Sequence, residues 1–281
     1  MGILDKFSGK DKYKSAVSKY SDISQRYEQK KKDYQLRTDS LNKELVELIE
    51  KINVHKKTIQ SDLFSRLVEL LSLLKDVEIP PEFTEEKYKE QCRKLDSYLK
   101  IRTRDTLFEI DFDKNKIKTT LQTIFTLGIW TRKKAKESEH NVDDEVAAIQ
   151  DEMRRMDSEI AKYMTCVHSA KQIEYYFVKM ISLFEKWLRY LEHSMNYMGY
   201  AAMRLSKRIV KKSISISFLH EQQQKELEAT INLGRTLSKM IQTQIVLKKD
   251  GDNLKEYASI MKGNFESYTK ESNARETEAT Q

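Results

Sequence analysis

The sequence predicts an all-α protein: an elongated antiparallel bundle or coiled coil of three to five long helices. Turn formers are scarce, with 7 Gly and 2 Pro in 281 residues, where average usage would place about 20 Gly and 14 Pro in a chain this long. Folds of many strands spend these residues on turns, so sandwiches, barrels and doubly wound sheets are disfavoured. Apolar residues recur at alternating spacings of three and four, a periodicity that disorder does not require.

The first long helix is expected from about Tyr13 to Val77. Its stripe reads Tyr13, Val17, Tyr20, Ser24, Tyr27, Lys31, Tyr34, Thr38, Leu41, Leu45, Leu48, Ile52, His55, Ile59. That is the heptad rhythm of a helix packed on its neighbours. From Leu41 the stripe is aliphatic and continues through Leu63, Leu67, Leu70 and Leu74. The aliphatic half is expected in the bundle centre and the tyrosine half at a wetter end. Both prolines fall together in Ile79-Pro80-Pro81, which ends the helix.

A second helix carries Tyr88, Cys92, Leu95, Leu99, Leu107, Ile110, Ile117, Leu121 and Ile124. The polar stretch from Lys136 to Asn141 reads as the next turn. A third helix starts near Val142, where Asp143, Asp144 and Glu145 complement its dipole. Its stripe passes through Ile149, Met156, Ile160, Ile173, Phe177, Met180, Phe184, Trp187 and Leu191 toward Ile209. The alternating Ser213–Phe218 segment predicts a break, and a fourth helix follows through Leu227, Gly234, Leu237 and Ile241. These features divide the chain into an amphipathic start (1–12), a bundle (13–262) and a polar tail (263–281) expected to be frayed or disordered.

Cys92 and Cys166 form no CxxC and no disulfide framework, which favours a reducing, intracellular setting. The opening residues lack the apolar core of a signal peptide. The most apolar stretch, 175–191, is interrupted by Lys179, Glu185, Lys186 and Arg189, so no bilayer-spanning helix is expected. The excess of 51 Lys+Arg over 44 Asp+Glu, a net +7, mildly favours anionic partners.

Chemical motifs are few. No two of His55, His140, His168, His193 and His220 are four apart, so the helical two-histidine zinc pattern is absent, and His55 reads as a hydrogen-bonded core residue. Asp111-x-Asp113-x-Asn115 opens like a calcium loop, but Lys116 and Gln122 stand where Gly and Glu are needed. Neither glycine-rich phosphate cradle occurs. The expectation is a protein without catalytic residues, metal or cofactor.

Three features point to a surface role. Ile3, Leu4 and Phe7 share one face of a short helix and are followed by Lys10 and Lys12, the combination of a shallow anchor at an anionic membrane; a start docked on the bundle is the alternative. Arg204, Lys207, Arg208, Lys211 and Lys212 place five cations in nine residues without an acid, either a stripe for lipid phosphates or a solvated face paired with acids. Trp130 closes an apolar run before Arg132, Lys133 and Lys134, which suits a membrane interface or a charged turn after core packing.

Met1-Gly2-Ile3-Leu4-Asp5-Lys6-Phe7 resembles the opening of phage-shock protein A and related ESCRT-III-like membrane remodellers. The long helices with an amphipathic start and cationic stripes also look like BAR domains, which dimerise on curved anionic membrane. The resemblance implies an insertion role for Ile3, Leu4 and Phe7. The expected function is a cytoplasmic, peripheral scaffold that self-assembles on anionic phospholipid membranes, with a homo-oligomer as its working form and no specific nucleic acid. The rivals are a soluble coiled-coil adaptor that grips a protein partner, and an α-helical pore component inserting residues 117–130.

Overall fold

The computed structural model describes residues 10–84, 132–205, 215–242 and 252–278. They form helices α1 (Lys10–Thr58), α2 (Phe64–Ser72), α3 (Arg132–Leu205), α4 (Glu221–Gln242) and α5 (Asp252–Glu278). No β-strand occurs among the described residues, and four of the helices are long. The all-α bundle expected from the sequence is observed.

The chain divides into two compact units. The first contains Met1–Lys43 and Arg102–Met164, the second Glu44–Ile101 and Thr165–Gln281. In the first unit, Ala16, Tyr20, Ile23, Tyr27 and Tyr34 of α1 close a core with Val142, Ile149, Met156 and Ile160 of α3. The wetter end expected for the tyrosines is corrected here, since Tyr27 is fully buried and Tyr34 nearly so. Their rings fill the seam as apolar mass while a hydroxyl can still find a partner. The Tyr34 hydroxyl donates to Glu159 Oε2 at 2.5 Å. Around this core, Lys19 meets Asp143 at 3.1 Å and Lys30 meets Asp157.

In the second unit, α1 passes through a π-helical segment, Ile59–Leu63, into α2. The wider turn brings Ile59, Gln60 and Leu63 inward together. The Gln60 amide then donates to the Thr84 carbonyl at 3.3 Å. The helix ends at Ser72, short of the Val77 expected and with seven residues between it and the proline pair, and Pro81–Phe83 form a 3-10 turn. Its product is the buried Phe83, whose ring centroid lies 4.9 Å from that of Phe64. Phe64 also meets Phe184 of α3 edge to face at 6.2 Å. The aliphatic stripe from Leu45 to Leu74 and the α3 stripe from Ile173 to Leu191 are buried as predicted.

Within this unit Lys171 pairs with Glu44, His55 with Glu174 and Arg66 with Glu192. The partners advance together along both helices, so α1–α2 and α3 run in the same direction. The same holds for α1 and α3 in the first unit, where Lys19, Lys30 and Tyr34 meet Asp143, Asp157 and Glu159 in that order. A long connection, rather than a short turn, joins them, and only short turns force antiparallel neighbours. The antiparallel order expected from the sequence is seen between α4 and α5, where Tyr257 reaches the Met240 carbonyl and Tyr268 the Asn232 carbonyl.

Two boundaries differ from expectation. Residues 136–141 are helical, because α3 begins at Arg132. The stretch is polar but contains neither Gly nor Pro, and Lys and Glu propagate a helix well. Of the segment expected to fray, the described residues up to Glu278 continue helix α5. Tyr268 anchors it, sharing a hydrogen bond of 2.7 Å with the Thr236 hydroxyl of α4. Ser215 and the 3-10 turn Ile216–Phe218 occupy the predicted break. There the Ser215 hydroxyl donates to Asp76, and Gln223 receives the His220 N–H at the start of α4.

Candidate functional site

The second unit carries a groove between α3 and α5. On α3, Lys179, Ser182, Leu183, Lys186, Arg189 and Tyr190 recur at spacings that keep them along one strip of the helix. On α5, Phe265, Thr269, Ser272 and Asn273 face them with the same periodicity. The groove has a volume of about 630 Å³. Aromatic contacts hold its two walls together. Tyr176 and Phe265 approach to 5.9 Å, and Trp187 meets Tyr268 edge to face at 6.3 Å.

Charge and exposure are uneven along this strip. The sequence from 179 to 190 carries Lys179, Lys186 and Arg189 and one acid, Glu185, which Arg189 contacts at 3.4 Å. The nearby Glu192 carboxylate is held instead by Arg66, whose Nε and Nη2 both donate to its Oε1 at 3.0 and 2.9 Å. Tyr175, Val178 and Tyr190 are large apolar side chains left about half exposed. The Lys179 ammonium lies 5.4 Å from the Tyr175 ring centroid and that of Lys186 lies 5.9 Å from Tyr190. Cation and ring thus share one face, each partly shielded by the other.

The positions singled out in the sequence are not brought together by the described residues. Ile3, Leu4, Phe7, Trp130, Lys207, Arg208, Lys211 and Lys212 lie outside them, as does the 117–130 run. For Lys10 and Lys12 in α1, and for Arg132, Lys133, Lys134 and Arg204 in α3, the helical backbone alone is described. The groove was not anticipated. Its α3 half stood in the sequence as interruptions of an apolar stretch, and a count of those cations at spacings of seven and three would have marked it. Its α5 half fell in the segment read as tail.

His55 is hydrogen-bonded as expected, with Nε2 3.3 Å from Glu174 Oε1, but it is half-buried rather than in the core. Among the described residues no group of three potential ligands is placed to hold a metal, and no helix is long and apolar enough to cross a membrane. No family model, curated protein or solved structure matches this chain.

Proposed function

We propose that the protein is a non-enzymatic, peripheral membrane-binding helical scaffold that self-assembles on anionic membranes. The observation that carries this reading is the α3 face from Tyr175 to Arg189–Tyr190, where exposed rings alternate with Lys179, Lys186 and Arg189. Tyrosine rings with adjacent cations match the chemistry of the headgroup layer, in which an apolar body and a charged tip are both accommodated. Each nearby cation contributes about 1 kcal/mol at an anionic surface, so this strip needs further contacts for stable attachment. Ile3, Leu4 and Phe7, with Lys10, Lys12 and the Arg204–Lys212 cluster, are the sequence positions that would supply them.

Vesicle co-sedimentation tests the reading. The chain should pellet with phosphatidylserine-rich vesicles, and removal of residues 1–12 or change of Arg204, Arg208 and Lys211 to Glu should each reduce the pelleted fraction. Pelleting at background with anionic and neutral vesicles alike would remove the proposal. A protein-binding adaptor is the second reading, since Tyr and Arg are also enriched in protein interfaces. Stoichiometric, lipid-independent binding to one protein would favour it.

A further inference from the structure

We propose that the groove between α3 and α5 is a binding site for a small organic polyphosphate, carrying at least two phosphate groups on a compact scaffold. This rests on the membrane reading only where the polyphosphate is a lipid headgroup. A volume of about 630 Å³ falls within the ~300–1,000 Å³ of small-ligand sites. Lys179, Lys186 and Arg189 lie along one wall, and the ten helical steps from the first to the last span about 15 Å. One phosphate cannot reach all three, whereas two phosphates across a ring can engage both ends. Arg189 offers the planar fork suited to phosphate oxygens, and the lysines act as point charges.

Neutral donors complete the walls. Ser182 faces the groove from α3, with Ser272 and Asn273 opposite on α5. Ser272 is 6% exposed, so a phosphate reaching it leaves much of its water behind, and the hydroxyl becomes a substitute donor. On α3 the carboxylate of Glu185 contacts Arg189 at 3.4 Å, a long and solvent-exposed pair. Such a pair is worth little and is readily exchanged for a doubly charged phosphate.

Calorimetric titration of the full chain with inositol 1,4,5-trisphosphate tests the site. Saturable binding near one equivalent is expected. K186Q/R189Q should weaken it about tenfold or more, and Ser272→Leu, which fills the groove, should do the same with helical content unchanged. Lys225→Gln, which removes an exposed cation on α4, should stay within about twofold. No saturable binding, equal loss in K225Q, indifference to both groove variants, or displacement by a polyglutamate peptide would each overturn the proposal.

Vesicles containing phosphatidylinositol bisphosphate, matched in charge to phosphatidylserine vesicles, identify the source. Preferential pelleting that K186Q/R189Q abolishes assigns a headgroup. Trisphosphate binding without that preference assigns a soluble ligand, and both outcomes support the groove. Failure of the unaltered chain to pellet with any vesicle, while trisphosphate still binds, would sink the membrane reading and leave this one standing.

Discussion

Gly234 leaves the space that Phe83 occupies: a β-carbon on Gly234 would stand 3.0 Å from Phe83 Cζ and 3.2 Å from its Cε1. Leu67 of α2 would lie 3.4 Å away on the same side. The glycine in the middle of α4 is therefore a packing requirement of the second unit. Gly is otherwise about 1 kcal/mol worse than Ala in a helix interior. Gly234→Val should destabilise the protein by about 1–3 kcal/mol through overpacking. The companion change Phe83→Leu should make the double variant less destabilised than the sum, as read by urea unfolding of all four chains.

Phe64 joins the proline-bounded turn to α3, with Phe83 and Phe184 on either side. It is fully buried, so Phe64→Ala should cost about 3–5 kcal/mol. Leu36, 70% exposed, should lose no more than about 0.5 kcal/mol on change to Ala. Chemical denaturation of the two variants checks the contrast. Equal losses would contradict the assignment of Phe64 to the core.

In the first unit, the Tyr34 hydroxyl and the Glu159 carboxylate form a partly buried, charge-assisted hydrogen bond of 2.5 Å. Tyr34→Phe keeps the ring and removes the donor, with an expected loss of about 1.5–3 kcal/mol. Tyr190→Phe on the exposed face should be near neutral, within about 0.5 kcal/mol. A thermal melt comparing the two distinguishes a structural hydroxyl from a solvated one.

Asp151 sits in front of Arg154 on α3, and the hydrogen bond from that guanidinium, with its positive charge, holds the carboxyl below the usual aspartate range. A lowered carboxyl contributes stability above its unfolded pKa, and that contribution disappears as pH falls through the lower folded value. Carbon-detected NMR should show Asp151 titrating below an ordinary aspartate, and Arg154→Gln should return it upward. The group is fully exposed, so added salt should shrink the difference.

The sequence was informative wherever burial follows a repeating stripe. Ile52, Ile59, Leu63 and Leu67 on one side, and Ile173, Phe177, Met180 and Phe184 on the other, are buried as their spacing predicts. It was less informative where polar groups decide. Tyr20, Tyr27 and Tyr34 carry hydroxyls yet fill a core, and the polar end of α5 is tied to α4 by hydrogen bonds of Tyr268 to Thr236 and Asn232, which leave no aliphatic stripe in the sequence. The π-helical segment has no periodic signature, since it shifts a single turn. The groove depends on two helices far apart in sequence, a pairing that no one-dimensional pattern specifies.

Flotation of the intact chain with phosphatidylserine-rich vesicles, set against pure phosphatidylcholine, tests the membrane account most directly. Recovery in the floated lipid fraction only with the anionic vesicles, declining as salt is raised, is the predicted result. Protein left at the bottom of the gradient with both lipids at low salt would contradict it.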